Sequence, residues 1–221
     1  MPTFPLAPRL LKGAIIGTDP ANPLASVIVF QYNPDTLTRQ VEARASGGSE
    51  YGDRSEAFRL TGPPRERISL SIEVDAADQL ERADPRTLAD GIHPTLAALE
   101  MLLYPKSTTV LANAILAQFG NIEIIPPEAP MTLFVWGPSR VLPVRITSIS
   151  IAEEQYDARL NPIRAKADLS LYVLSYADLK PDHPGYTLFL AHQIAKEVFA
   201  TSNAAGSAGN LSATLGVPLK L

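Results

Sequence analysis

Residues 27–40 read VIVFQYNPDTLTRQ, and the break at their centre decides how the chain is laid out. Residues 27–32 are rich in β-branched and aromatic side chains and predict a strand. Asn33-Pro34-Asp35 is strong turn chemistry, because proline fixes φ while Asn and Asp side chains bond to nearby backbone. Beyond it Leu37, Val41 and Ala43 share one parity, and Thr38, Gln40 and Glu42 the other. The local reading is two strands that pair antiparallel around a proline-pinned corner.

Working outward, residues 10–18 form a short apolar run that ends in the turn-rich TDPANP. Residues 46–66 are polar and glycine-bearing and close on Gly62-Pro63-Pro64. A connection this long inside a compact domain tends to be functional or disordered. The cleanest alternation follows: Ile68, Leu70, Ile72 and Val74 on one side, Ser69, Ser71, Glu73 and Asp75 on the other. That is a strand with one buried and one wet face.

The middle of the chain predicts helices. Leu96, Leu99, Leu102 and Leu103 recur at helical spacing after Pro94 and stop at Pro105, and 108–119 is a second helix ending at Gly120. Three strands come next. The first, 131–136, is apolar on both faces. In 140–151 the apolar phase shifts from Val144 and Ile146 to Ile149 and Ile151, so a bulge is expected near Thr147-Ser148. After a charged connector at 153–162, residues 164–176 form a long strand with Ala165, Ala167, Leu169, Leu171 and Val173 on one side. A last helix spans 186–199, and the Gly/Ala/Ser-rich remainder reads as a flexible tail. The expected organisation is therefore one domain over 1–200 with a helical insertion at about 92–120, then a tail at 201–221. Its class is α+β, with a mainly antiparallel sheet and packed helices.

Composition narrows the function. The net charge is −4 and the basic residues are scattered, so the stripe expected of a nucleic-acid binder is missing. Charged residues make up 19% of the chain, below the usual quarter or so, as for a surface partly covered by partners. With no cysteine there is neither a disulfide framework nor a thiolate metal site. The N-terminus lacks the apolar core of a secretory signal, and no stretch reaches the roughly 20 apolar residues of a membrane span. The chain is expected in the cytoplasm, within whatever particle it helps to build. Asn210-Leu211-Ser212 matches the glycosylation sequon, read as chance without a signal peptide.

Chemistry-bearing motifs are scarce. His93, His183 and His192 stand in no metal-ligand spacing. Glu153 and Glu154 are adjacent, hence on opposite faces of a strand, and Asp75 and Asp78 flank a strand end where helix capping explains them. There is no nucleophile elbow and no phosphate-cradling glycine loop. The expectation is a non-enzyme without catalytic, metal or cofactor residues. Open strand edges would aggregate unless a neighbour pairs with them, and a ring that shares its sheet between subunits resolves this.

Three segments carry a family resemblance: VIVFQYNPDTLTR, FRLTGPPRERISLSIEVDAAD and RITSISIAEEQYDARLNPIRAKADLSLYVLSYADL. In this order they resemble the tube and tube-initiator proteins of contractile injection systems, which are phage-tail-like machines. The first looks like that family's aromatic-x-aromatic-Asn-Pro hairpin. The second is similar to its Gly-Pro, alternating strand and Asp segment, and the third to its paired strands with a Glu-Glu connector. Together they span roughly residues 10–180.

The resemblance implies strands given to a closed β-barrel ring, usually sixfold, with a helix packed outside. Such a ring joins the inner tube to the spike hub at the baseplate. Its implied partners are other copies of the chain, the tube protein, the spike or hub and other baseplate proteins, with no nucleic acid and no membrane insertion. Phe30, Tyr32, Asn33, Pro34, Gly47, Tyr51, Arg54, Phe58, Gly62 and Pro63 are the implied contacts between subunits or rings. Ser69, Ser71, Glu73, Lys166, Asp168 and Ser170 are the implied lumen-facing residues. Many family members carry a C-terminal LysM domain. The chain ends at Leu221 without one, so a neighbouring protein is expected to supply that attachment. A tube-end or terminator ring, or a stand-alone module that recruits a peptide to a sheet edge, are the alternatives.

Overall fold

A computed structural model describes residues 11–18, 26–44, 59–105, 107–118 and 131–215. Seven strands form one antiparallel sheet: β1 (Ala14–Thr18), β2 (Ser26–Val29), β3 (Leu37–Glu42), β4 (Arg65–Asp75), β5 (Met131–Val135), β6 (Val141–Tyr156) and β7 (Pro162–Val173). Their spatial order is β2-β1-β5-β6-β7-β4-β3. Five helices accompany them: α1 (Ala77–Glu81), α2 (Pro85–Asp90), α3 (His93–Glu100), α4 (Ser107–Gln118) and α5 (Pro184–Leu215). The α+β class with a mainly antiparallel sheet is as expected.

The corner at Asn33-Pro34 is not a hairpin. β2 pairs with β1, while β3 pairs with β4 at the opposite edge of the sheet. Residues 30–36 are thus a bridge between the two edges. Fully extended, that bridge reaches about 27 Å, and six strand spacings laid flat amount to about 29 Å. A flat sheet would leave it taut, yet Phe30 is buried and the Asn33 side chain turns back to β1. The sheet must therefore curl. Gln31 Oε1 accepts the backbone N–H of Asp75, at the end of β4, at 2.9 Å. Ile28 and Phe30 share one core with Ile68, Leu70 and Ile72. A cleft of about 320 Å³ lies where the two edges approach, with Ile28, Gln31, Ile72 and Asp75 in its wall.

The concave core is the alternation of β4 and β7 made solid. Ile68, Leu70, Ile72, Ala167, Leu169, Leu171 and Val173 are buried with Ile15, Phe134, Leu142 and Val144. At about 1.5–3 kcal/mol for each large aliphatic or aromatic side chain, this cluster supplies most of the driving force. Trp136 stacks on Phe134 at 5.9 Å and lies 6.4 Å from Phe30. Gly13 passes so close that a Cβ there would sit 2.7–2.9 Å from both rings. The bulge falls where the apolar phase predicts it, with a register shift between Ile146 and Ser148 against β7.

Helices close this face. α3 contributes Leu96 and Leu99, followed by Leu102, and α5 contributes Phe189. α1 and α2 have no counterpart in the sequence reading, though Asp84-Pro85 is a legible start signal. Asp84 Oδ2 accepts both the N–H and the hydroxyl of Thr87, and Pro85 takes the first helical position.

Two boundaries differ most from expectation. β6 runs on to Tyr156, so the connector at 153–162 shrinks to the five residues 157–161. Asp157 organises this tip, accepting the N–H groups of Arg159 and Asn161 at 2.7 and 2.8 Å. Leu160 adopts φ 66° there and is exposed. The Gly/Ala/Ser-rich segment expected as a tail is helical to Leu215, continuing α5. Extending an existing helix needs no new nucleus, so Ala-rich sequence can carry Gly206 and Gly209 at about 1 kcal/mol each.

Candidate functional surface

β3, β4, β7 and β6 lie side by side, and their wet faces form one continuous surface opposite the core. Register sets its rows. Thr38, Ser69, Ser170 and Ser148 form one row across four strands. Ser71, Asp168 and Ser150 form the next, and Glu73, Lys166 and Ala152 the one after. The six residues singled out in sequence as lumen-facing thus meet as three direct cross-strand pairs: Ser69 with Ser170, Ser71 with Asp168, and Glu73 with Lys166. All six are exposed or half-buried. The Ser71 hydroxyl, opposite Asp168, is shielded and meets no hydrogen-bond partner.

Charges on this surface alternate in sign. The Arg164 guanidinium lies 3.6 Å from Glu73 and 3.3 Å from Glu154, and Arg67 lies 3.7 Å from Glu42. Arg145 sits over the Tyr172 ring at 5.5 Å. Exposed pairs of this kind contribute at most about 1 kcal/mol each. Their effect is to keep the face hydrated and without a dominant charge.

The expected contact residues divide. Tyr32 is exposed, and Asn33 and Pro34 are half-buried. Phe30 is a correction: it is buried against Trp136 in the chain's own core, so it supports a surface and does not form one. Asn33 acts on its own chain too, accepting the Gly13 N–H through Oδ1 at 2.9 Å and donating from Nδ2 to the Leu11 carbonyl at 2.8 Å. Gly62 is half-buried beside Arg44, and Pro63 is buried. Thr61 donates its N–H and its hydroxyl to the Arg44 carbonyl at 2.8 and 3.1 Å, which clamps the base of the long connection. Gly47, Tyr51, Arg54 and Phe58 lie outside the described residues.

The histidines take ordinary roles or none. His183 Nδ1 accepts the Gly185 N–H in a turn, and His93 opens α3. The Asp75 carboxylate accepts the Ala77 N–H at the start of α1, but the N-cap residue there is Ala76, without a side-chain cap, and not Asp75 as expected. Among the described residues no group of three or more His, Asp or Glu could hold a metal ion. No helix there is long and apolar enough to cross a membrane.

One cluster was missed. Glu66 is only 3% exposed and lies on the inward side of β4. Its Oε1 is held by Arg39 Nη2 at 2.7 Å and Nε at 2.8 Å, and its Oε2 by Lys196 Nζ at 3.1 Å. Burial pushes this carboxyl up, but Lys196 and Arg39 outweigh it and hold it below the ordinary carboxylate value. Parity is the signal that could have found it, because Glu66 falls in phase with Ile68, Leu70 and Ile72. His192 on α5 is buried nearby with neither ring nitrogen in a well-formed hydrogen bond. Burial and then Lys196 lower its pKa, against smaller opposing effects of Glu66 and the Ser139 backbone.

No protein-family model matches the chain, and neither does any curated protein. Among solved structures it is similar to a chain in the virion of a native gene transfer agent particle. That match has 12% identity and a TM-score of 0.28, and covers 73% of this chain and 90% of the other. A chain in the tail of an empty gene transfer agent particle with C6 symmetry gives 14% identity, the same TM-score of 0.28 and the same coverage of 73% and 90%. At that TM-score neither match establishes a shared fold or function.

Proposed function

We propose that the chain is a structural, non-catalytic ring component of a phage-tail-like contractile injection particle. Assembled in the cytoplasm, its ring joins the inner tube to the spike hub at the baseplate. The observation that carries this reading is the division of the curled sheet. One face is sealed by core and helices, while the other offers four strands of small polar and mixed-charge side chains in register. Such a face suits a bore through which cargo slides, because it holds water and offers no sticky apolar patch. The resemblance of the three sequence segments supports the family, and the outer edges of β2 and β3, which no other strand among the described residues covers, leave backbone groups for neighbouring copies.

The dimensions are reasonable. Six copies of four strands at about 4.8 Å each give a circumference of roughly 115 Å and a backbone diameter of about 37 Å, before strand tilt widens it. Sedimentation of the purified chain and end-on class averages of the particle test the reading. Closed rings, or the chain at a fixed copy number within particles, are the expected result. A chain that stays monomeric at every concentration and is absent from purified particles overturns it. The exposed Val27 and Val29 on edge strand β2 also suit a stand-alone peptide-binding module. In that case the same experiment returns a monomer.

A further inference from the structure

Beside Glu66, on the far side of the core from the polar rows, lies a pocket of about 250 Å³. Arg39, Ser139, Arg140, His192, Ala195, Lys196 and Phe199 line it, bringing together β3, the turn between β5 and β6, and α5. Its charges do not balance. Arg39 and Lys196 are both spent on the two oxygens of Glu66. Arg140, half-buried, has no side-chain hydrogen bond or ion pair among the described residues. Three cations therefore face one anion. His192 adds an imidazole that is only 9% exposed and whose two nitrogens make no well-formed hydrogen bond. Buried polar atoms without partners are rare, and a bound group commonly accounts for them. A guanidinium with free donors beside an imidazole is suited to an oxyanion, which both can hold by charge-assisted hydrogen bonds.

We propose that this pocket binds a small oxyanion, a carboxylate or a phosphate group, through Arg140 and His192. The oxyanion can be free phosphate or an acidic side chain of another copy of the chain. Glu66 does not compete, since both its oxygens are already engaged and it shares the wall with the cations. Bound charge favours the protonated imidazole, so binding takes up a proton at His192. The groups that face His192 are Lys196 on its own helix, Glu66 on β4, Arg39 on β3, and Arg140 and the Ser139 backbone in the turn between β5 and β6.

The test is a histidine titration by long-range ¹H–¹⁵N NMR, with inorganic phosphate against chloride at equal ionic strength. The pKa of His192 should rise saturably, by about one pH unit for an anion at ion-pair distance. Arg140→Gln should abolish the rise and Arg140→Lys restore part of it, with an unchanged circular dichroism spectrum showing that both fold. A rise with protein concentration alone, without phosphate, marks a carboxylate from another copy; a rise only with phosphate marks the free anion. If neither moves His192, or if Arg140→Gln responds like the parent, the pocket is no oxyanion site.

Discussion

Asn33 shows how a side chain can stand in for a missing strand. Its amide accepts from Gly13 and donates to Leu11, as a neighbouring backbone would. Asn33→Leu should cost about 1–3 kcal/mol in urea denaturation, the usual penalty for stranding such groups. Asn33→Asp keeps the bond from Gly13 and should cost less. Gly13→Ala should cost about 1–3 kcal/mol by overpacking, because its Cβ would press on Phe30 and Trp136. Acid should destabilise the chain in two stages. His192 lies below its ordinary 6.5 in the folded state, so the unfolded chain binds the extra proton, and stability falls as pH drops below about 6.5. Glu66 lies below its ordinary 4.5, so its contribution is present above that value and is lost as pH falls further. Thermal unfolding of the parent and of His192→Gln across pH 4–8 checks this: the upper stage should vanish in the variant.

Among the elements, the bridge between β2 and β3 separates what is local from what is not. Alternation in β4 and β7, the bulge before Ser148 and the helical spacing of Leu96 and Leu99 are all written within a few residues, and all were legible. Nothing within VIVFQYNPDTLTRQ says that its two strands lie at opposite edges, because strand partners are chosen across the whole sheet. The same limit hid the pocket at Glu66, whose lining comes from three distant segments. The three pairs on the polar surface were legible as faces but not as partners. The length of α5 was lost to composition: Gly and Ser read as tail, although Ala-rich sequence extends a helix already begun. A bridge differs from a hairpin in its response to length. Gly-Gly inserted between Asp35 and Thr36 should cost about 1 kcal/mol or less, since it only lengthens a connection. Removing Pro34 and Asp35 should destabilise the chain far more, as the shortened bridge pulls Phe30 and Asn33 from their places in the core and beside Gly13. Deleting residues 47–58 should leave urea stability nearly unchanged, with the base held by Arg44 and Thr61, while ring formation is lost. Normal rings from that deletion would assign the contact between copies to other residues.

At the scale of the whole molecule, the curled sheet has β2 and β3 as its two edge strands among the described residues and turns a wet four-strand face away from its helices. One buried and one wet face are common in antiparallel sheets; under the proposed ring the wet face becomes a hydrated bore and the edges are protected. Because the chain has no cysteine, a single spin label can be placed by Asp168→Cys at the middle of the polar face without competing sites. Pulsed dipolar spectroscopy on the assembled protein then reads the spacing between copies. If the face lines a sixfold bore, neighbouring labels should lie roughly 12–24 Å apart, because neighbours in a sixfold ring are spaced by its radius, about 18 Å at the backbone before strand tilt widens it and the inward label shortens it. Separations beyond about 45 Å, or no coupling between copies at assembling concentrations, would contradict the account.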